Sequence, residues 1–314
     1  MHQAKEPSGY HTPVLLTEVV ALFAPVADGL IVDGTLGGAG HSAALLEAYP
    51  RLRIIGLDRD PDAIAAAPQS ERLTVVRANF GDLDDVLGAR LSLEPDVAAL
   101  VGVLLDLGVS SHQLDTPERG FSYRREGPLD MRMGPDAARS AADLVNSLSR
   151  DELASIFRRY GEERFANRIA AAIVRERPFE DTSRLAAVVA DAVPAAARRA
   201  KHPARRVFQA LRIAVNEELA TLERGLDAAI RCLRPGGRLV VISYHSLEDR
   251  IVKQRMAEGA TGCICPPNLP VCGCGRAAEL RLLARKAVRS GAAEIESNPR
   301  ARSALLRAAE KVPA

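Results

Sequence analysis

Short apolar runs alternate with helical spacing along the first third of the chain. Residues 30–32, 53–57, 73–77 and 97–105 read as strands, with helix signals between them. The last run is uncharged and far too short to span a bilayer, so it reads as a buried parallel strand. Strand–helix alternation of this kind predicts an α/β fold, a parallel sheet covered by helices on both faces. The pattern then changes. Residues 108–134 are rich in Ser, Gly, Pro and Arg and read as loop. From Ala141 to about residue 200 the spacing is helical only, with Leu153, Ile156 and Phe157, then Phe165, Ile169, Ile173 and Val174, on helical faces. A single long helix is expected over residues 206–232, followed by a turn at 234–238 and a strand at 239–243. The chain therefore reads as one sheet domain, residues 1–134 and 206–314, interrupted by an inserted all-helical domain, residues 135–205.

The first strand runs into Ile31-Val32-Asp33-Gly34-Thr35-Leu36-Gly37-Gly38-Ala39-Gly40-His41, and a helix follows from Ser42. The second strand delivers Asp58 about twenty residues further on. Strand, glycine turn, helix, strand and acid in that order form a nucleotide-type binding half-fold. Glycines let the backbone approach a ligand, and a carboxylate at the second strand's end can accept both hydroxyls of a ribose. The chain is thus expected to bind an adenosine-bearing cofactor, either a hydride carrier or a methyl donor. A pyrophosphate would use the helix N-terminus to hold its negative charge. A sulfonium brings no phosphate and is favoured by nearby carboxylates, which Asp33 and Asp106 at the ends of apolar runs provide. The methyl donor fits better.

The 314 residues are enough for two domains with a substantial core, and the apolar fraction is that of an ordinary soluble protein. No hydrophobic stretch follows the N-terminal charges, so neither a secretory signal nor a membrane partner is expected, and the protein is placed in the cytoplasm. A formal charge of +2 does not by itself argue for nucleic acid. Clustering says more. Arg198, Arg199, Lys201, His202, Arg205, Arg206 and Arg212 form one basic stretch, and Arg119, Arg124, Arg125 and Arg132 another. Each is either a solvated face or a phosphate-tracking patch. Phe121 and Tyr123 lie inside the second, where a ring among arginines suits stacking on an unpaired base.

Cys263, Cys265, Cys272 and Cys274 crowd one short segment, with Cys232 apart. Four thiols in a cytoplasmic loop argue against disulfides and for a structural zinc site. The Cys-x-Cys spacing, used twice, departs from the usual Cys-x-x-Cys knuckle, so a loop of reduced thiols is the competing reading.

Eight blocks then occur in order: His11-Thr12-Pro13-Val14-Leu15-Leu16; the glycine loop; Leu104-Leu105-Asp106-Leu107-Gly108-Val109-Ser110-Ser111; Glu118-Arg119-Gly120-Phe121-Ser122; Pro128-Leu129-Asp130-Met131-Arg132-Met133; Tyr160-Gly161-Glu162-Glu163-Arg164-Phe165; Phe208-Gln209-Ala210-Leu211-Arg212-Ile213; and Ser243-Tyr244-His245-Ser246-Leu247-Glu248-Asp249-Arg250. Together with Asn298-Pro299-Arg300-Ala301-Arg302-Ser303 they resemble the family of ribosomal RNA small subunit methyltransferase H, the MraW-type 16S rRNA cytosine-N4 methyltransferases. The resemblance implies a class I S-adenosylmethionine-dependent methyltransferase fold, Rossmann-like and mostly parallel, with an inserted substrate-recognition domain. It implies methylation of the N4 amino group of a cytidine in the decoding (P-site) region of 16S rRNA, within the small ribosomal subunit. It also implies cofactor contacts at Ala39, Gly40, His41, Asp58, Phe80, Asp106 and Gln113, with Asp58 on the ribose and Phe80 near the adenine. Many family members do without the cysteine cluster, so zinc is not expected to serve the transfer.

The chemistry asks for positioning more than for a strong base, because an acceptor gripping a cytosine N–H frees the nitrogen lone pair. Asp106 is the candidate for that grip and His245 for taking the released proton. Many amino-methyltransferases follow this acid with two prolines and an aromatic. Here Leu107-Gly108-Val109 stands instead, so the stacking ring must come from elsewhere, with Phe121, Tyr123 and Tyr244 as candidates. A NAD-type dinucleotide-binding oxidoreductase would share the glycine loop but leave the arginine-flanked aromatics without purpose. A non-catalytic RNA-binding protein would not need the loop and Asp58 together. The sequence leaves a homodimer open.

Overall fold

Five of the apolar segments become the parallel strands of one sheet in the computed structural model, which describes residues 13–93, 100–198, 202–266 and 273–313. In chain order the elements are α1 (Leu16–Phe23), β1 (Gly29–Asp33), α2 (Gly40–Ala48), β2 (Leu52–Asp58), α3 (Pro61–Ala66), β3 (Leu73–Arg77), α4 (Leu83–Leu93) and β4 (Leu100–Asp106). A run of helices follows: α5 (Ser111–Asp115), α6 (Ala141–Ser147), α7 (Arg150–Gly161), α8 (Ala166–Glu176), α9 (Thr182–Ala192), α10 (Ala195–Arg198) and α11 (Ala204–Asn216). The chain ends with α12 (Glu218–Cys232), β5 (Arg238–Ser243), α13 (Ser246–Ala260), β6 (Leu280–Leu282), α14 (Ala292–Ser297) and β7 (Leu305–Lys311). The order across the sheet is β3-β2-β1-β4-β5-β7-β6, with β7 antiparallel to both neighbours. Among the described residues, no helix is long and apolar enough to cross a membrane.

Strands β1, β2, β4 and β5 are buried on both faces, which is why they read as nearly continuous apolar runs. Alternate side chains sort into two cores. Val32, Leu57, Val103, Leu105 and Val241 pack with Leu222, Leu226 and Ile230 of α12. Ile31, Ile54, Val101, Leu104, Val240 and Ile242 pack with Val19 and Phe23 of α1 and Leu45 of α2. Burial of each such side chain stabilises by about 1.5–3 kcal/mol. Gly102 sits mid-strand in β4, where glycine is normally a weakness, because Phe23 fills the place of its side chain. A Cβ there would lie 2.5 Å from Phe23 Cε1 and 3.0 Å from Ile31 Cγ1. Gly102→Ala should therefore cost about 1–3 kcal/mol of stability, read as a lowered urea midpoint at unchanged slope. An unshifted midpoint would show that Phe23 can move away freely.

The second compact unit spans Val109–Glu218. Its core gathers Phe157, Ile169, Ile173, Leu185, Val189, Val207, Phe208 and Leu211 from α7, α8, α9 and α11. Ser140, Ser149 and Asp181 cap α6, α7 and α9 by accepting the backbone N–H three residues on. The unit reaches beyond residues 135–205 on both sides. The segment that reads as loop carries Phe121, Leu129, Met131 and Met133 into the helical core. The single helix expected over 206–232 is instead two. Glu217 takes a left-handed conformation (φ 51°), and its N–H bonds to the Ile213 carbonyl. Beside it, the buried Asn216 amide accepts from Met133 N–H at 2.8 Å and donates to the carbonyls of Met131 (2.7 Å) and Arg212 (3.0 Å). The apolar period runs unbroken through this point, so only the long-range bonds of Asn216 mark the break.

Candidate functional site

β1 lies between β2 and β4, where the sheet's connectivity reverses, so a crevice opens beyond the carboxyl ends of these strands. Three acids stand there: Asp33 ends β1, Asp58 ends β2 and Asp106 ends β4. The β1–α2 loop is stitched to both neighbouring strands. Gly34 N–H donates to the Leu104 carbonyl and Leu36 N–H to the Leu57 carbonyl, each at 2.9 Å. Two of the glycines, Gly34 and Gly40, serve packing. A Cβ on Gly34 would strike Leu105 Cδ2 at 2.6 Å and Phe80 Cβ at 2.9 Å, and one on Gly40 would strike Pro13 Cγ at 2.4 Å. Gly37 differs. It has φ +50°, and its side-chain position meets only the Thr35 carbonyl at 3.9 Å, so the backbone there is open to close approach. Ala39 is left-handed as well (φ 59°), with its methyl buried, so its ligand contacts would come from backbone atoms.

Each acid is held by neutral partners. Asp33 accepts from Ser42 Oγ at 2.7 Å and from Thr35 N–H at 3.2 Å. Asp58 accepts from Gly37 N–H at 2.8 Å and Asp60 N–H at 2.9 Å. Asp106 accepts from Tyr244 Oη at 2.8 Å, while its own N–H donates to Thr35 Oγ1 at 2.6 Å. Burial raises the pKa of all three, that of Asp106 to about 6, although hydrogen bonds pull the other way. Among the described residues, none of the three pairs with a lysine or arginine. Burial, and then Asp106, also push the Tyr244 phenol well above its ordinary pKa, so it stays a donor. A bound cation would relieve this crowd of desolvated carboxylates. A pyrophosphate would aggravate it. The donor set thus fits the sulfonium of S-adenosylmethionine.

His41, buried in α2, points Nε2 at the Val14 carbonyl (3.0 Å) and Nδ1 at Asp106 Oδ2 (3.7 Å). A carbonyl only accepts, so Nε2 carries the proton and Nδ1 faces the acid. Phe80 follows β3, and its ring lies against α12, where a Cβ on Gly225 would meet ring carbon Cδ2 at 2.5 Å. Gln113 lies in the helical unit, where its Oε1 accepts from Ser110 N–H at 3.0 Å in the cap of α5. His245 is the N-cap of α13. Its Nδ1 accepts from Glu248 N–H at 3.3 Å, and its Nε2 lies 3.1 Å from Glu248 Oε1 in a direction unsuited to a hydrogen bond. Glu248 Oε2 accepts in turn from the N–H groups of Tyr244 (2.8 Å) and His245 (3.1 Å), fixing the backbone that presents Tyr244. The Tyr244–Asp106 bond, 138 residues apart in the chain, has no signal in the sequence, and neither do the roles of Thr35 and Ser42.

The candidate stacking rings of the helical unit are already engaged. Phe121 is buried in the helical core. Tyr123 stacks on His202 (centroids 5.0 Å) and meets Phe208 edge-on. Several arginines of the basic clusters also have partners. Arg132 forks onto Asp130, Arg212 onto Glu218, and Arg119 reaches the carbonyls of Arg132 and Met133. Arg124 and Arg205 are exposed, whereas Arg199 and Lys201 lie outside the described residues, as do His11, Thr12 and Cys272. Cys263, Cys265 and Cys274 are brought together.

Residues 8–312 match the family described as the MraW methylase family. Three similar relatives each bear the name ribosomal RNA small subunit methyltransferase H. The one from Heliobacterium modesticaldum is 51% identical, covering 96% of this chain and 99% of the relative. That of Symbiobacterium thermophilum is 52% identical over 97% and 98%, and that of Geobacter sulfurreducens 52% over 96% and 99%.

Proposed function

Because the chain belongs to the MraW methylase family, we propose that it transfers the methyl group of S-adenosylmethionine to the N4 amino group of a cytidine in the decoding (P-site) region of 16S rRNA. The relatives' shared name supports the small-subunit rRNA substrate. The observation that carries the chemistry is the desolvated Asp106 carboxylate at the switch point, gripped on one oxygen by Tyr244 and facing His41 with the other.

When bound, S-adenosylmethionine supplies an electrophilic methyl group on a positively charged sulfur. Asp58, which accepts two backbone N–H groups, would accept the ribose hydroxyls with its remaining lone pairs. The backbone of Ala39 and Gly40, with the open face of Gly37, would admit the rest of the cofactor, and Phe80 would border the adenine. Tyr244 holds Asp106 Oδ1, which orients Oδ2 to accept an N–H of the cytosine amino group and so turns the nitrogen lone pair toward the methyl carbon. As the N–C bond formed and the methyl–sulfur bond broke, the bonding pair would stay on sulfur to give neutral S-adenosylhomocysteine, and the amino group would lose a proton. With a pKa of about 6, Asp106 Oδ2 takes it near neutral pH and passes it on to water. His245, bound into its helix cap, supports Tyr244 through Glu248. The helical unit, with its exposed arginines, recognises the RNA.

Cofactor binding should carry a pH signature. S-adenosylmethionine should bind more tightly as pH rises through about 6, because ionised Asp106 attracts its charged sulfur. S-adenosylhomocysteine, whose sulfur is neutral, should show a shallower dependence. Equal slopes in calorimetric titrations from pH 5 to about 8 would remove the charge argument. The function itself is tested with labelled S-adenosylmethionine and small ribosomal subunits from cells lacking this enzyme. Label should enter 16S rRNA, and failure to label either subunits or naked 16S rRNA would overturn the reading.

A further inference from the structure

Three thiols gather in the connection between α13 and β6, whose described residues bury no apolar side chain. Cys263 and Cys265 follow the end of α13, and Cys274 lies on the returning strand of chain. Their sulfurs all lie within 4.8 Å of one another, and those of Cys263 and Cys274 are 3.7 Å apart. A tetrahedral ion with Zn–S bonds of about 2.3 Å sets its sulfurs roughly 3.8 Å apart. A disulfide would need them at about 2.05 Å. Cys265 N–H donates to Cys263 Sγ at 3.4 Å, which fixes the backbone between the first two thiols.

Neither the burial nor the packing of the described residues of this segment explains why three sulfurs should meet. Cys263 and Cys274 are exposed, Cys265 is half-buried, and Ile264 between them points to solvent with 61% of its surface exposed. Among the described residues of this connection, 261–266 and 273–279, none is buried. A small loop of this kind gains its cohesion from a staple rather than from a core. We propose that Cys263, Cys265 and Cys274 form a thiolate site for a zinc ion, which clips the α13–β6 connection shut. Zinc suits the set, since thiolates select soft or borderline ions and a tetrahedral arrangement of sulfurs is the one zinc adopts in structural sites. On binding, each coordinating thiol gives up its proton to solvent and no electron moves.

The test uses the full chain, purified reduced and without chelator. Elemental analysis after gel filtration should find one zinc per chain. After chelator stripping, added Co2+ should give the intense visible bands and near-ultraviolet charge-transfer band of a tetrahedral cobalt thiolate, and zinc should bleach both. Cys263→Ser and Cys274→Ser should abolish these bands. Cys232→Ser should leave them intact, because Cys232 lies elsewhere, with Sγ 3.3 Å from Asp84 Oδ1. Weak octahedral cobalt bands with only trace zinc in the unmodified chain would overturn the proposal, as would zinc retained equally in the Cys263→Ser and Cys274→Ser variants. Both negative readings come from chains whose folding can be checked by circular dichroism.

Discussion

Replacing Asp58 with alanine should weaken S-adenosylmethionine binding by roughly two to four orders of magnitude. Two hydrogen bonds from ribose hydroxyls to a carboxylate are each worth about 1.5–3 kcal/mol, and every 1.4 kcal/mol is about tenfold in affinity. The carboxylate has a second task, because it accepts the N–H groups of Gly37 and Asp60 and so ties the glycine loop to β2. The loss of affinity therefore has two sources, and a cofactor analogue separates them. A 2′-deoxyribose form of S-adenosylmethionine should bind the parent chain more weakly but lose little further in the variant, since the hydroxyl's partner is already gone. Additive losses, measured by calorimetry on both chains, would place Asp58 in loop architecture alone. Denaturation curves for the variant should remain cooperative, because the two core faces of the sheet are untouched.

The second large effect is expected at Asp106. Asp106→Asn should lower the rate of methyl transfer by about 100-fold or more, the usual contribution of a positioned proton acceptor. The same change should stabilise the cofactor-free protein. The Asp106 pKa is about 6 in the folded chain against an ordinary value of 3.8. For a carboxyl group raised in this way, the folded state holds its proton more tightly than the unfolded one. Its contribution to stability is then fully present below about pH 4 and is lost as pH rises through about 6. At neutral pH the ionised group is a liability, which asparagine removes. With the side chain 16% exposed, the gain should be about 1–2 kcal/mol at pH 7.5 and should vanish near pH 4. A variant that loses activity and stability together would mean that Asp106 is held for packing. Tyr244→Phe gives a complementary reading. It removes a hydrogen bond that lowers the Asp106 pKa, so the acid limb of the pH–rate profile should move to higher pH.

The sheet was legible in the sequence because β1, β2, β4 and β5 are buried on both faces and therefore read as apolar runs. β7 was not. Leu305–Lys311 is built from Leu, Arg, Ala, Glu and Lys, which favour helices, and only pairing with β5 and β6 makes it a strand. The break between α11 and α12 escaped for a similar reason, since it depends on bonds from Asn216 to residues more than 80 positions away. Asp33, Asp58 and Asp106 could be found because an acid ending an apolar strand has no structural reason to be there unpaired. The partners that define their chemistry could not. Thr35, Ser42 and Tyr244 are ordinary residue types whose roles follow from the register of β1, β4 and β5. Of the rings that sequence offered for stacking, Phe121 turned out to be core and Tyr123 to be stacked on His202, because apolar packing claims an aromatic before any ligand does.

The most direct measurement is the identity of the methylated nucleoside. Small ribosomal subunits lacking the modification, incubated with S-adenosylmethionine and this chain, should yield N4-methylcytidine on digestion and mass spectrometry, mapped to the decoding region of 16S rRNA. The product should be absent with Asp58→Ala and strongly reduced with Asp106→Asn. A methyl group on another nucleoside, or on a ring carbon of cytidine, would contradict the account, because an acid that grips an amino N–H has no part in such a transfer.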